Sequence, residues 1–547
     1  MNKNFQMIIV GDENSILKHK NFVPLSLAIG VIGGYLKDKN IKTKIHDINE
    51  KKIEKEITLD QLELISNIYE GKRVIEYLEG NNDLEMDRLA EIFLEDLTYD
   101  SNFYGISIGA DFSLFQIHQG LIIAKYLKKR TNATIILGGN NVDYMYIYKE
   151  FYKDILTSAI KNIDYILRGP GEKTIYNILE GMYFEKSKIP GLLTITEGEI
   201  IANKEATPNI ICPDWTNIDL GKYSIPLTDN QLENEKLLYS LPSTVSEVIF
   251  ENRINDNSFR RAPFIPYIFN YNCNYKCAFC TQSAKERGNI IVGDVIRVVD
   301  HLEHLSKTYN SKYFYFLNNY FPSNKNFILE FKSELSKRNL EIYWSDCGRV
   351  NGMTKEKLQL LYECGCRKLI FGFESGDNNM LKFIDKKLDL DELSRVLKWC
   401  SEVGISADIE VIIGLPYERE KEYRNTYNYI SKHKDVINNF WLNEFFLIPN
   451  SLLGMYPEKY GIEIKKNILN YNLLCSYNKK EFLGDRKAEM TSNSRLWGFN
   501  EINQNKKRRF REIQKHNAKK MKELEKLRNP EFAQLHRFYS MLNDIRN

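Results

Sequence analysis

Long apolar runs are missing from this sequence, and the runs present are as short as Val411–Ile413. A membrane-spanning helix needs about 20 consecutive apolar residues, so none is expected, and Met1–Phe5 shows no secretory signal pattern. A strong net charge is missing too: 76 Lys and Arg against 73 Asp and Glu give +3. No overall field therefore draws the protein to nucleic acid or to an anionic membrane, and we expect neither as a partner. The substrate must be recognised at a local site.

Cysteine is absent from the first 211 residues, and the total of nine is odd and unevenly spread. This distribution excludes the paired framework of a small secreted protein and favours the reducing cytoplasm. Three cysteines fall within eight positions: Cys273, Cys277 and Cys280. A closed zinc site needs a fourth Cys or His nearby, and none is present. Three thiolates from one loop can hold three irons of a cubane cluster and leave the fourth iron open.

Core-forming residues are abundant, with 43% hydrophobic and 12% aromatic residues. That content excludes a disordered chain, and 547 residues exceed what one hydrophobic core usually serves. Five short strands, mostly followed by glycine and a helix, predict an α/β doubly wound parallel sheet over residues 1–184, with a helical insertion at about 50–98. Ligands bind such sheets at the carboxyl ends of the strands. The predicted strands are Gln6–Val10, Lys42–Asp47, Tyr104–Gly109, Thr134–Gly139 and Ile163–Gly169.

A second alternation of strands and helices follows an irregular linker at 185–262. Its six βα units predict a partial (β/α)6 barrel of the TIM type over 263–460, although the pattern leaves its closure open. The predicted strands are 264–269, 313–317, 341–345, 368–373, 407–413 and 440–447. A mainly helical extension at 461–547 carries the basic run Lys506–Arg509. Because aromatic residues do not interleave through this run, a solvated helix face is favoured over nucleic-acid binding, while covering the active site or docking an acidic partner stays open.

The cysteine loop, with Phe279 before its last cysteine, matches the C-x3-C-x-aromatic-C signature. Over about Phe264–Ile448 the chain resembles the radical S-adenosylmethionine (radical SAM) superfamily. The resemblance implies a 4Fe-4S cluster on Cys273, Cys277 and Cys280, with S-adenosylmethionine (SAM) on the open iron. It also implies reductive cleavage of SAM to a 5′-deoxyadenosyl radical, with electrons from a donor such as flavodoxin or ferredoxin.

Residues at the ends of the predicted barrel strands are the candidates for SAM binding under this resemblance. Asn318 and Asn319 would meet the methionine amino group, although the family often has acidic residues there and a simple polar turn is an equal interpretation. Arg349 suits bidentate pairing with the carboxylate. The others are Glu374 and Ser375 for the ribose, and Ile413 and Gly414 for the adenine.

Cys347 follows the third barrel strand, where a side chain would face the barrel mouth. Two interpretations stay open for it: a hydrogen-atom donor to a substrate radical, or a structural thiol, which is slightly favoured. Cys364, Cys366 and Cys400 lie on or beside helices among core residues and are interpreted as structural.

The N-terminal part resembles the Rossmann-like, cobalamin-binding-type domain that precedes some radical SAM barrels. Small residues at its strand ends would let a corrin or nucleotide-like tail approach the backbone. These candidates are Ser107, Gly109, Gly138, Gly139 and Gly169. The D-x-H-x-x-G pattern that supplies a histidine to cobalt is absent, and His19 in the corresponding loop has the wrong spacing. If cobalamin binds, we expect it to bind without a histidine ligand.

Three functions are consistent with these features. The domain order favours cobalamin-dependent methylation of an unactivated carbon in a peptide or natural product. The alternative is an epimerase or cross-linking enzyme of a ribosomal peptide that uses Cys347 and no cobalamin chemistry. A noncatalytic binding protein ranks last, because all three loop cysteines are intact.

Overall fold

The computed structural model describes residues 4–11, 13, 25–50, 59–109, 113–215, 218–227, 260–284, 290–466, 470–483, 496–502 and 510–528. The chain divides into two compact units. The first comprises residues 1–222, 467–496 and 544–547, and the second comprises 223–466 and 497–543. None of the described helices is long and apolar enough to cross a membrane.

The first unit is built on a five-stranded parallel sheet of order β2-β1-β3-β4-β5, which confirms the predicted doubly wound architecture. Helices connect its strands, and the predicted insertion contributes three of them. The elements are β1 (Asn4–Ile9), α1 (Leu27–Asp38), β2 (Lys42–Asp47), α2 (Leu59–Ser66), α3 (Gly71–Leu78), α4 (Leu84–Phe93), β3 (Phe103–Ser107), α5 (Leu114–Arg130), β4 (Thr134–Gly138), α6 (Asn140–Ile147), α7 (Lys153–Asn162), β5 (Tyr165–Ile166), α8 (Glu172–Leu179), β6 (Leu193–Thr196) and β7 (Glu199–Ala202).

The glycines of α1 form a face without side chains, against which a later segment of the chain lies. A Cβ at Gly30 would overlap the Trp215 ring, and one at Gly34 would overlap the Cys212 carbonyl. The Asp214 N–H donates to the Gly30 carbonyl at 2.8 Å. The first unit therefore extends to residue 222 rather than 184, because the first part of the predicted linker packs on this helix.

The second unit is built on an open sheet of order β16-β15-β14-β13-β12-β9-β8. Six of its strands are parallel, and β8 pairs antiparallel with β9. This open sheet of successive βα units confirms the predicted partial barrel. The elements are β8 (Ser224–Leu227), β9 (Arg260–Tyr267), β10 (Asn270–Tyr271), α9 (Thr281–Ala284), β11 (Ile291–Val292), α10 (Val295–Tyr309), β12 (Tyr313–Phe316), α11 (Lys325–Lys337), β13 (Tyr343–Gly348), α12 (Lys355–Glu363), β14 (Cys366–Glu374), α13 (Asn378–Phe383), α14 (Leu390–Val403), β15 (Ser406–Ile413), α15 (Glu420–His433), β16 (Asn439–Glu444), α16 (Leu452–Met455) and β17 (Ile462–Lys466).

The C-terminal extension is shared between the two units. Helix α17 (Tyr471–Phe482) belongs to the first unit, where the Tyr471 hydroxyl lies 2.6 Å from Nε2 of the buried His118. Strand β18 (Trp497–Glu501) pairs with β17, and helix α18 (Phe510–Glu525) packs in the second unit. The basic run 506–509 lies outside the described residues.

Candidate active site

The cysteine loop lies at the carboxyl end of β9 in the second unit. Cys277 is buried, whereas Cys273 and Cys280 are half-buried, and all three thiols are free of disulfides. The middle of the loop is fixed by backbone hydrogen bonds: Ala278 N–H donates to the Ile384 carbonyl at 2.7 Å and Ala278 C=O accepts from Leu453 N–H at 3.0 Å. The three cysteines are therefore presented by a loop that other elements hold in place.

The entrance to this loop is fixed by Asn318, which follows β12. Its Oδ1 accepts from the backbone N–H groups of Phe269 and Asn270, both at 2.9 Å, and its Nδ2 donates to Asp346 Oδ2 at 2.7 Å. A neutral amide can accept and donate in this way, whereas an ionised carboxylate can only accept. This accounts physically for an asparagine where related enzymes often carry an acid. Asn318 is 4% exposed, and its interaction with SAM stays a prediction.

Asn319 also holds the entrance to the cysteine loop, because its Nδ2 donates to the Asn272 carbonyl at 3.1 Å, just before the first cysteine.

Sequence reasoning missed Asp346, the partner of Asn318. Asp346 Oδ1 accepts from the Cys347 N–H at 2.8 Å, and burial raises the pKa of this carboxyl well above its ordinary value. The available signal was its position directly after the predicted third barrel strand, next to Cys347 and three residues before Arg349.

Arg349 lies against the first cysteine. Its Nη2 donates to Cys273 Sγ at 3.2 Å, and its guanidinium carbon lies 3.7 Å from the centre of the Tyr275 ring and 5.6 Å from that of Tyr320. The predicted contact with a SAM carboxylate stays a prediction. What the structure adds is a direct contact between the guanidinium and a proposed cluster ligand.

A second cation lies near the loop. Lys386 Nζ is 2.8 Å from Glu374 Oε1, and both side chains are more than nine-tenths buried. Burial raises the pKa of the Cys277 thiol, while the charges of Lys386 and Arg349 act in the opposite direction. Cations around thiols favour thiolates, which are the form that ligates iron. No three His, Cys, Asp or Glu side chains in the described part of the chain converge as a site for a single metal ion. A cubane cluster does not need such convergence, since its thiolates bind different irons, and the donor set fits it.

The predicted ribose contacts lie at the end of β14. Glu374 adopts a left-handed backbone conformation with φ of +61° and pairs with Lys386. The Ser375 hydroxyl is buried, accepts from the Asp377 N–H at 3.2 Å and lies 3.3 Å from Thr426 Oγ1. Both side chains are thus held by the chain itself, and ribose binding by them stays a prediction.

Two further groups lie close to these residues. Burial, followed by the charges of Asp346 and Glu410, raises the pKa of the Cys347 thiol to about 12, so it is a neutral thiol at physiological pH. Burial, followed by the charge of Glu374, raises the pKa of Glu410 to about 7. Asn443 Nδ2 donates to Glu410 Oε2 at 2.7 Å. A carboxyl that changes protonation state near neutrality is a frequent feature of functional sites, and sequence reasoning missed it.

The predicted adenine edge lies at the end of β15, where Ile413 is buried. Gly414 has a φ of +87°, and its N–H donates to Glu418 Oε2 at 2.6 Å. Lys520 of α18 lies 3.3 Å from the same carboxylate, and a Cβ at Gly414 would overlap the Asn517 side chain. Helix α18 therefore packs directly on this edge, so part of the C-terminal extension contacts the residues predicted to bind adenine.

The predicted cobalamin residues lie at the carboxyl ends of strands in the first unit. Ser107 and Gly138 end neighbouring strands β3 and β4, and Gly139 is the N-cap residue of α6 with a φ of +109°. A Cβ at Gly109 would overlap Gln116, and one at Gly169 would contact Glu205, so chain packing explains these two glycines. Gly138 is different, because a Cβ there would meet only the Leu167 carbonyl, at 3.6 Å.

Two buried amide atoms at the same sheet edge have no hydrogen-bond partner: Gln119 Nε2 and Asn141 Oδ1. Both residues are 0% exposed. The other ends of these amides are used, since Gln119 Oε1 accepts from Gly11 N–H at 2.5 Å and Asn141 Nδ2 donates to Gln116 Oε1 at 3.1 Å. An unsatisfied buried polar atom costs about 1–3 kcal/mol. The open side of Gly138 and these two atoms therefore fit a ligand with polar groups. His19 lies outside the described residues.

The family model of the Radical SAM superfamily matches residues 267–430, which span β9 to α15 and contain the cysteine loop. Residues 267–430 therefore resemble a radical SAM domain. A domain of this superfamily implies a 4Fe-4S cluster and SAM as cofactors, as expected from the family resemblance of the cysteine loop.

Two curated relatives align over more than half of the chain. An uncharacterized methyltransferase of Pyrococcus horikoshii is 22% identical over 350 residues, which cover 64% of this chain and 68% of the relative. The anaerobic magnesium-protoporphyrin IX monomethyl ester cyclase of Rubrivivax gelatinosus is 23% identical over 327 residues, which cover 58% of this chain and 51% of the cyclase. These two relatives carry different named activities.

Two solved structures are similar over most of the chain. The radical SAM methyltransferase TsrM from Kitasatospora setae, with cobalamin and a [4Fe-4S] cluster bound, is 14% identical with a TM-score of 0.56, covering 86% of this chain and 78% of TsrM. The cobalamin-dependent SAM radical enzyme OxsB is 15% identical with a TM-score of 0.51, covering 89% of this chain and 56% of OxsB. At these identities the likeness concerns the fold. It supports the fold seen here, a parallel α/β sheet followed along the chain by a partial barrel.

Proposed function

We propose that this protein is a cobalamin-dependent radical SAM methyltransferase that methylates an unactivated carbon of a peptide or natural product. The observation that carries the proposal is the presence, in one chain, of the cysteine loop with its two cations and of a parallel sheet whose carboxyl edge holds unsatisfied amides. The fold likeness to TsrM and OxsB, which extends beyond the radical SAM domain, supports it.

In this proposal Cys273, Cys277 and Cys280 hold the 4Fe-4S cluster. When bound, the cluster supplies SAM with the electron that cleaves its sulfonium, which gives a 5′-deoxyadenosyl radical. The protein's own contribution is to hold the loop through Asn318 and Asp346 and to place positive charge beside the thiolates. The SAM contacts proposed from sequence are Asn318, Asn319, Arg349, Glu374, Ser375, Ile413 and Gly414.

Cobalamin would be held at the edge of the first unit's sheet. The open side of Gly138 and the unsatisfied amides of Gln119 and Asn141 extend the set proposed from sequence, which is Ser107, Gly109, Gly138, Gly139 and Gly169. Neutral amides can donate to or accept from polar groups of the cofactor without a charge penalty. Cobalamin would supply the methyl group. We further propose a reducing, cytoplasmic setting with a flavodoxin or ferredoxin as electron donor, because the nine cysteines are odd in number and form no disulfide within the described residues.

Anaerobic reconstitution tests this proposal. Protein reconstituted with iron, sulfide and hydroxocobalamin should retain both the cluster and about one cobalamin after gel filtration, and should form 5′-deoxyadenosine from SAM and a low-potential reductant. The test variant is C277A and its matched control is C400A, because Cys400 is also a buried cysteine and lies in α14. Retention of the cluster without cobalamin would refute the methyltransferase and favour the alternative. Absence of 5′-deoxyadenosine would refute both.

One observation favours a second candidate, a peptide epimerase or cross-linking enzyme. Cys347 is a neutral, half-buried thiol near the charged groups of the barrel, so it has the hydrogen atom that a donor needs. With a peptide substrate in D2O, C347A should abolish deuterium incorporation into the product. Unchanged incorporation in C347A would dismiss this thiol as the donor.

A further inference from the structure

We propose that Arg349 raises the reduction potential of the cluster assigned to Cys273, Cys277 and Cys280. This inference rests on the cluster assignment above but not on cobalamin or on the nature of the substrate. It makes Arg349 a tuning residue of the cluster, which is a different role from the SAM-carboxylate contact predicted from the sequence.

The geometry of Arg349 is that of a fixed donor to a thiolate. Nη2 lies 3.2 Å from Cys273 Sγ, within the range for a hydrogen bond to sulfur. The guanidinium plane is held by the ring of Tyr275, at 3.7 Å from its centre, and Tyr275 itself lies inside the cysteine loop. Tyr320 adds a second ring at 5.6 Å and contacts Tyr275 edge-on. Two aromatic faces and one thiol therefore determine where this guanidinium lies.

The charge of Arg349 is not neutralised by a neighbouring acid. Within the described part of the chain, no Asp or Glu oxygen forms a salt bridge with it, whereas Lys386 near the same loop is paired with Glu374. Arg349 also favours the charged form of Cys277 through its positive charge. Its unpaired charge therefore acts on at least two of the three proposed ligands.

The expected direction follows from charge. Reduction adds one electron to the cluster, so a nearby cation and an N–H···S hydrogen bond stabilise the reduced form more than the oxidised form. Removing them makes reduction less favourable, and the potential becomes more negative. For a one-electron couple, a tenfold change in the reduction equilibrium corresponds to 59 mV.

The matched control is Arg367, which lies on the neighbouring strand β14. Its guanidinium also packs over two tyrosines, at 4.7 Å from the ring centre of Tyr343 and 4.1 Å from that of Tyr362. It donates to the backbone carbonyls of Tyr362 and Cys366 instead of to a thiol. Arg367 therefore reproduces the stacking of Arg349 without the contact to a proposed cluster ligand.

The test is an EPR-monitored redox titration of full-length protein, with Ti(III) citrate as the reductant and without SAM. At the wild-type midpoint potential, R349Q should show a reduced-to-oxidised ratio several-fold lower than wild type, with unchanged iron and sulfide content. R367Q should titrate as wild type does. An R349Q midpoint equal to wild type, or an equal shift in R367Q, would overturn the proposal.

A second variant decides the case in which R349Q does not load a cluster. Y275L keeps the arginine but removes the ring that holds it, so its midpoint should also move to more negative potential, by less than that of R349Q. A wild-type midpoint in Y275L would then overturn the proposal. If the wild-type protein itself binds no cluster, the cluster assignment fails instead, so the two failures are distinguishable.

Discussion

The two units use the carboxyl ends of parallel strands in different ways. In the first unit this edge is made of glycines and neutral amides, such as Gly138 and Asn141. In the second it is made of thiols and buried charged groups, such as Cys273 and Glu374. The same edge of the same kind of sheet thus offers uncharged, partly unsatisfied groups in one unit and strong charge in the other. Topology determines where a ligand binds, and side chains determine which chemistry is used there.

The largest effect is expected from a variant that should disable the sheet edge of the second unit and leave that of the first unit intact. C277A should lose the cluster and all 5′-deoxyadenosine formation, because a cubane cannot be held by two thiolates alone at this loop. Cobalamin retention by the first unit should persist. Iron analysis and cobalamin absorbance after gel filtration measure both, with C400A as the control. Iron at the wild-type level in C277A would contradict the ligand assignment.

The next effect concerns the pair that holds the cysteine loop. N318D removes the Nδ2 donor and places a second carboxyl group against Asp346, so the variant should lose about 1–3 kcal/mol of stability and part of its cluster. The exchange N318D/D346N restores one amide and one carboxyl group and reverses the hydrogen bond between the two side chains. The amide at position 346 can donate its Nδ2 to the carboxyl group at position 318 and accept from Cys347 N–H through its Oδ1.

Thermal unfolding and iron content measure this pair. Recovery of most of the stability in N318D/D346N, relative to N318D and D346N, would establish the pair as the cause. If the exchange is as unstable as the sum of its single variants, the hydrogen-bond reading of Asn318 is wrong.

This pair also marks the limit of what the sequence allowed. The strand and helix pattern predicted both sheets, and the cysteine spacing predicted the cluster loop, because both signals are local. The role of Asn318 depends on backbone groups at Phe269 and Asn270 and on Asp346, which only folding brings together. Likewise, nothing local in α17 indicates that Tyr471 packs against His118 in the first unit. Long-range contacts of polar residues leave no periodic signal in a sequence.

A smaller, pH-dependent effect is expected at Glu410. The pKa of Glu410 in the folded protein is about 7, above the ordinary value of 4.5. Between these two pH values the folded protein binds a proton that the unfolded chain releases, and above pH 7 folding buries a charged carboxylate at a cost in stability. That cost is about 3 kcal/mol above pH 7 and declines as the pH falls toward 4.5. The groups that act on Glu410 are Glu374, Asp408, Lys386 and Asn443.

E410Q should therefore be more stable than wild type at pH 8, and its advantage should shrink at pH 6. Chemical unfolding at both pH values measures this, with E330Q, an exposed carboxylate of α11, as the control. An advantage for E410Q that is the same at both pH values would show that the charge of Glu410 is not the cause.

The smallest effect on stability is expected at the edge of the first unit. A Cβ at Gly138 would meet only the Leu167 carbonyl at 3.6 Å, so G138A should change the stability of the free protein by no more than about 1 kcal/mol. G105A is the contrasting variant, because its Cβ would lie 2.5 Å from the Phe5 ring and should destabilise the core. Since the methyl group of G138A would occupy space proposed for cobalamin, this variant should bind cobalamin several-fold more weakly while its cluster content stays at the wild-type level. Unchanged cobalamin affinity in a stable G138A would mean that the open side of this glycine is not where the cofactor lies, and the neutral edge of the first unit would need another ligand.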